Sequence, residues 1–342
     1  MPGWTEPPGR TFVLTTLVLL AAAGCQPSGP DAVLSDYVTR VARIVEQPVL
    51  PAPPEALMPY PDARDLSVDI PRRTIDIAEF FELHGCDMGA LVGLRNSPLG
   101  RLQTPSQRLG YEAAWLAALA RCGGGAADWA QTLGDDKRAL LPALFWNATF
   151  AAPELRTAMG GAGAAPDADL ADLLRSLHDS YRALGAGSFD LSALEQTLAR
   201  LRTGSWVGPA RQRWLQWRRH LQATSALLGP AAPRLCLNQQ PTPRSRRLQN
   251  VFLGFYVEQI QPELAREMGR HAAWIEEIER LTGALGPVVP EPFQQWYAAV
   301  LDPAEPGSEW QRTRLAVTDH ARAWQRLLAA CGIEPGAGVR QD

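Results

Sequence analysis

No stretch of this chain shows the two-residue alternation of apolar and polar side chains that several strands would need, whereas after residue 30 apolar residues recur at helical spacing in segment after segment. One region breaks the pattern. Proline stands at 48, 51, 53, 54, 59, 61 and 71, a density that forbids a long helix between Pro48 and Arg73. The chain is therefore expected to be all-α, many-helixed, with one extended proline-rich segment laid over the helices and Asp65 to Ile70 as a candidate edge strand. Helices are predicted over 31–47, 74–84, 86–95, 104–122, 135–150 (with Pro142 bending it), 168–184, 190–203, 209–228, 244–260, 262–282, 291–301 and 308–331. The clearest start is Thr104-Pro105-Ser106-Gln107, which offers a capping hydroxyl, a proline in the first turn and a glutamine at the third position of a capping box.

The first thirty residues speak to location. An apolar run from Thr11 to Gly24 is too short for a membrane span of about 20 residues and fits the core of a secretory signal. It ends Leu20-Ala21-Ala22-Ala23-Gly24-Cys25, which resembles the bacterial lipobox. That resemblance implies a diacylglyceryl group on Cys25, cleavage before it, and acylation of the new amino terminus. Gln26 at the following position resembles outer-membrane rather than inner-membrane sorting. The expected location is the outer membrane, lipid-anchored and facing the periplasm, with the membrane itself a partner through Cys25.

Four further cysteines, Cys86, Cys122, Cys236 and Cys331, make an even set in a chain expected to be exported. Their spacing is wrong for zinc, and no metal or other cofactor is expected. A Gly/Ala run at 160–166 separates them two and two, so Cys86–Cys122 and Cys236–Cys331 are the expected pairs, each contributing roughly 3–5 kcal/mol in the chain-entropy picture. The same run marks the expected organisation: a leader at 1–24, a tether at 25–73, helical halves at 74–159 and 167–332, and a tail at 333–342.

Chemistry is sparse. Of 33 basic residues only Lys137 is a lysine, so a mechanism that needs one has a single place for it. No metalloprotease, serine-hydrolase elbow or phosphate-loop motif is present, and the five histidines fall in separate segments. No catalytic residue is assigned. Asn147-Ala148-Thr149 matches a glycosylation sequon, which is uninformative in a bacterium-like chain.

Two basic features stand out. Arg95, Asn96, Ser97, Arg101, Gln107 and Arg108 lie in and after a loop between two helices that Cys86–Cys122 would tie together; the guanidinium forks suit carboxylates or phosphates. Asn96 and Ser97 serve equally well as turn and cap. The second feature is a belt from Gln196 to Val257 with ten arginines and no carboxylate, in a chain of net charge −3. Within it Trp214, Trp217, Leu221 and Leu228 share a stripe, with Arg211, Arg213, Arg218 and Arg219 around it. Such a helix could lie on anionic headgroups or polymer, or bury its tryptophans and pair its arginines with acidic helices elsewhere.

The stretch FFELHGCDMGALVGLRNSPLGRLQTPSQRLGYEAAWLAALARC, with LQNVFLGFYVEQIQPELA and HARAWQRLLAACG, resembles a proteobacterial lipoprotein family known as domain of unknown function 3080. The resemblance implies an exported, lipidated, mainly helical protein and brings no reaction. The function expected from all this is a non-enzymatic interaction or scaffold module of the cell envelope, binding an envelope protein or cell-wall polymer and no nucleic acid. The alternative is an envelope hydrolase acting on cell-wall polymer near Glu82, Asp87, Arg95 and Asn96.

Overall fold

A computed structural model describes residues 30–83, 87–122, 128–163 and 169–334. The expected all-α class holds. The helices are α1 (Pro30–Val45), α2 (Ala63–Leu66), α3 (Ile77–Glu82), α4 (Met88–Asn96), α5 (Pro98–Arg101), α6 (Pro105–Cys122), α7 (Asp128–Ala148) and α8 (Pro153–Gly160). They continue with α9 (Leu170–Gly185), α10 (Leu191–Arg202), α11 (Val207–Leu228), α12 (Ala232–Leu235), α13 (Pro243–Val251), α14 (Gln261–Leu285), α15 (Glu291–Val300) and α16 (Glu309–Ala330). A π-helical segment, Phe252–Ile260, lies between α13 and α14 and takes up the second half of the helix expected over 244–260. Pro142 is accommodated inside α7.

The principal core gathers side chains from Leu34 to Ile333, on both sides of the Gly160–Gly163 run. Its centre is α11 packed along α16 and α1. Trp146 stacks on Phe150 with ring centroids 4.6 Å apart, and Phe293 meets both edge-on. A separate, smaller core unites Leu83, Met88, Val92, Trp115, Ala118, Leu119 and Ala130, so α3, α4 and parts of α6 and α7 form an outlying module.

Three polar ties hold the principal core in register. Arg211 of α11 grips Glu309 of α16 through Nε and Nη2 at 2.8 and 2.6 Å, both side chains buried. Arg218 donates to the Glu309 carbonyl, to Thr313 Oγ1 and, at 2.6 Å, to Glu55 of the proline-rich segment. The third tie is a chain of hydrogen bonds through buried His320. Trp324 Nε1 donates to the Tyr37 hydroxyl (2.6 Å), which in turn donates to His320 Nε2 (2.8 Å). The remaining ring proton then belongs on Nδ1, facing Ser225 Oγ at 3.0 Å, and the Ser225 hydroxyl donates to the Leu221 carbonyl. Every donor in that chain has an acceptor, which is what a buried polar network requires.

The edge strand expected at Asp65 to Ile70 does not form. Ala63–Leu66 is a helical turn, and the extended backbone after it pairs with a side chain instead of a strand. Val68 N–H donates to Asn147 Oδ1 at 2.9 Å and Asn147 Nδ2 donates to the Val68 carbonyl at 2.7 Å. One amide thus supplies the donor and acceptor that a neighbouring strand would have offered.

Strand structure among the described residues is a two-residue hairpin, Cys236–Leu237 with Gln240–Pro241. Asn238 and Gln239 adopt φ of 51° and 61° at its tip, the left-handed pair of a tight hairpin turn. The expected Cys236–Cys331 disulfide clips it to the end of α16, with Cα atoms 5.1 Å apart. Gly332 follows at φ +64°, where a Cβ would fall 2.6 Å from the Gln239 carbonyl oxygen, so glycine both ends the helix and lets the hairpin close on it. Cys122 is also disulfide-bonded. Cys86 and Cys25 lie outside the described residues, as do the leader and the tail from 335 onward.

Candidate functional site

The arginine belt folds inward. Arg211 and Arg218 were candidates to meet an anionic partner; they are instead among the most buried cations of the molecule, 4% and 3% exposed, because Glu309 and Glu55 reach them from 98 and 163 residues away. Burial alone would raise the Glu55 carboxyl, but the hydrogen bond and charge of Arg218, with Arg312, outweigh it and hold it below the ordinary carboxylate range. Arg213 lies half-exposed, 3.2 Å from Glu267. Arg219 is part-buried, its Nε without a hydrogen-bond partner among the described residues. The Trp stripe is core: Trp214 and Trp217 are fully covered, and Trp214 donates to His271 Nδ1 at 2.9 Å. Burial, then the charges of Arg270 and Arg213, lower the His271 pKa to about 3; burial lowers that of His320 to about 4.

The helix-joining loop resolves differently. Ser97 caps α5 by accepting from Gly100 N–H at 3.0 Å, and Thr104 and Gln107 close the reciprocal capping box read from the sequence. Arg95 donates to the Gly100 carbonyl, and Arg108 Nε to Glu112 at 2.7 Å. Lys137 holds the other oxygen of the same buried carboxylate. Arg95, Arg108 and Lys137 all lie within 6.0 Å of the Tyr111 ring centre, so three cations surround one aromatic ring and two of them share one carboxylate. The Tyr111 hydroxyl is pushed up to about 12, first by burial and then by Glu112. Burial, then the charges of Arg108 and Arg72, lower the Arg95 pKa. Asn96 and Arg101 face solvent.

The residues named for a hydrolase line neither of the two cavities described below. Glu82 accepts from Trp129 Nε1 at 2.6 Å, and Asp87 stands 3.9 Å from Arg121. Among the described residues no group of His, Cys, Asp and Glu is placed to hold a metal ion, and no helix is long and apolar enough to cross a membrane.

A cleft of about 880 Å³ opens where the proline-rich segment crosses the Gly160–Gly163 run and the start of α11. Its formation follows from small residues. Trp206 N–H donates to the Ala158 carbonyl at 3.0 Å and Ser205 Oγ to the Gly161 carbonyl, which presses Gly208 so close to Gly161 that no Cβ would fit there. Leu57, Met58 and Tyr60 form the opposite wall. Arg156, Arg211, Gln212, Arg213 and Gln216 line it, and no carboxylate does. Arg211 is committed to Glu309 and Arg213 leans on Glu267, whereas Arg156 is the more loosely paired of the three. Its Nη2 is 3.7 Å from Asp62, and its Nε is buried without a hydrogen-bond partner among the described residues. A second, apolar cavity of about 250 Å³ lies between α1, Trp217 and the end of the π-helical segment.

Arg211 and Arg213 are the site residues that sequence reasoning named and the cleft contains. It missed Arg156, Gln212 and Gln216. The available signal was the pairing of Gly160-Gly161 with Gly208-Pro209, small residues at two helix ends that permit close approach.

A family described as "Protein of unknown function (DUF3080)" matches residues 34–335. No curated protein and no solved structure matches the chain.

Proposed function

The chain belongs to the DUF3080 family, and from that premise we propose that it is a binding module of the bacterial cell envelope, not an enzyme, anchored to the outer membrane through a lipid on Cys25 and facing the periplasm. The observation that carries the binding role is the cleft: arginine and glutamine on one wall, apolar side chains of the proline-rich segment on the other, and no carboxylate between them. That lining suits an extended anionic segment, a carboxylate- or phosphate-bearing stretch of an envelope protein or cell-wall polymer. Arg156 supplies the charge-assisted bonds, Gln212 and Gln216 the neutral donors, and Tyr60 and Leu57 the apolar contact. Tyr60 stays a protonated phenol, because burial raises its pKa far more than the Arg156 charge lowers it.

The test is crosslinking in intact envelopes followed by recovery of the partner with wild type and with Arg156→Glu. Reversing that charge should lower recovery about tenfold while secondary structure is unchanged. Equal recovery would remove the cleft from the account. The anchor is tested separately: Cys25→Ser should abolish labelling by a fatty-acid analogue and release the protein from the membrane fraction.

A further inference from the structure

The outlying module carries a surface that the cleft does not explain. Exposed large apolar side chains concentrate on it: Leu94 at 61%, Leu99 at 81% and Leu102 at 80%, with Ile77 at 77% and Phe81 at 61% on α3. The three leucines sit at one tight corner. The Leu94 carbonyl accepts from the Ser97 backbone N–H at 3.2 Å and from its hydroxyl at 2.7 Å, and Leu102 N–H closes on the Leu99 carbonyl at 3.1 Å. Leu99 and Leu102 are three apart on one helical turn and so share a face. Gly100 lies buried against the Leu94 and Arg95 carbonyls, where a Cβ would not fit, and this packs the corner through its backbone while the three leucines stay exposed. Their exposure is built into the backbone.

Along the chain through this corner the charge has one sign. From Met88 to Tyr111 the chain has three arginines, Arg95, Arg101 and Arg108, and no carboxylate. Glu112 is buried and already shared by Arg108 and Lys137, so it leaves the cluster cationic. Arg101 projects into solvent beside Leu102. Protruding leucines with an exposed Arg101 and two further arginines close by in the chain match the interfacial region of an anionic bilayer, which takes apolar side chains below the headgroups and cations at phosphate level.

We propose that the α4–α5 corner is a peripheral membrane contact that inserts Leu94, Leu99 and Leu102 into the surface of an anionic bilayer, with Arg101 and its neighbouring cations on lipid phosphates. It is a second contact, independent of any lipid on Cys25, and it would orient the body on the membrane, not merely tether it.

The test uses residues 26–342, which contain both hydrophobic cores and lack the apolar leader and Cys25 acylation. Wild type should co-float with vesicles of three parts phosphatidylcholine to one part phosphatidylglycerol at low salt, and bind pure phosphatidylcholine more weakly. Leu94→Ser/Leu99→Ser/Leu102→Ser should lower vesicle affinity at least about tenfold, and Arg101→Glu about fivefold with a reduced salt dependence. Leu315→Ser, at an exposed position on α16, should bind as wild type does. Hydrogen exchange on the wild-type chain gives a reading independent of any variant: vesicles should protect amides at 94–102. Absence of wild-type binding at low salt, a triple variant that binds undiminished, or vesicle protection elsewhere only, would overturn the proposal. So would a stable dimer that ignores vesicles and is abolished by the triple variant, since the corner would then be covered by a second copy of this chain.

Discussion

Two arginine-rich regions of this molecule look alike as strings of residues and are opposite as structures. On α11, Arg211 and Arg218 lie beside a tryptophan stripe, and both the tryptophans and the arginines are buried. At the α4–α5 corner, Arg101 lies beside leucines, and all of them face water. The difference is made by what distant parts of the chain bring. Glu309 and Glu55 reach the α11 arginines, whereas no carboxylate reaches Arg101 among the described residues. A local excess of positive charge thus marks a surface for anions only where the fold leaves it uncompensated. In the body it stitches α11, α16 and the proline-rich segment together.

The largest expected effect breaks that contrast at its centre. Arg211→Ala leaves Glu309 buried beside an empty space with its bidentate partner gone, which should cost about 3–5 kcal/mol of unfolding free energy. Arg101→Ala should change it by less than about 0.5 kcal/mol. Denaturant unfolding of the two variants measures both, and similar small losses would mean that the α11 arginine contributes no more than a surface one.

Protonation sharpens the same contrast, because it reaches groups that only the body buries. His271 and His320 keep their neutral form down to about pH 3 and pH 4, whereas an unfolded chain takes up those protons near the ordinary histidine value. Between those limits the unfolded state binds more protons than the native one, so stability falls as pH falls. Each histidine should remove roughly 2 kcal/mol by pH 5 relative to pH 8, and Glu55, with its lowered pKa, acts in the same direction at lower pH. Unfolding free energies measured from pH 8 to pH 5 check this. A flat profile would mean that neither imidazole is held neutral.

How much of this was legible depended on distance along the chain. The helix expected at 209–228 is observed at Val207–Leu228, and the capping box at Thr104 and Gln107 is present, because both are written within a few residues. Cys236–Cys331 followed from the division of the cysteines by a glycine run. What a residue would meet from afar was not written locally. Arg211 could not be told from Arg101 without Glu309, and the cleft exists because Gly161 and Gly208 touch across 47 positions of sequence. The π-helical segment left no period distinct enough to separate it from α13, with which it was expected to form one helix over 244–260. Nor did the sequence separate an edge strand from an extended stretch satisfied by one amide, since Asp65 to Ile70 would read the same in either case.

That last ambiguity gives the smallest and most local comparison, between two asparagines. Asn96 is exposed at the corner, whereas Asn147 carries both backbone bonds of Val68 and lies in a sequon that had no structural meaning on its own. Asn147→Ala strands the half-buried N–H and C=O of Val68 and should cost about 1–2 kcal/mol, less than the full penalty because water can reach part of that site. Asn96→Ala should be neutral within about 0.5 kcal/mol. The loss at Asn147 should be spatially confined. Leu66 remains held by Trp146 Nε1 at 2.6 Å and Glu55 by Arg218, so the segment is released between those two anchors and the start of α3, and not as a whole. Hydrogen exchange in Asn147→Ala should therefore quicken at Val68, whose N–H loses its acceptor, while Asp65 and Leu66, bonded to the Asp62 carbonyl, exchange as in wild type. Faster exchange at Asp65 and Leu66 as well would mean that the proline-rich segment moves as one strap and that the cleft opens with it.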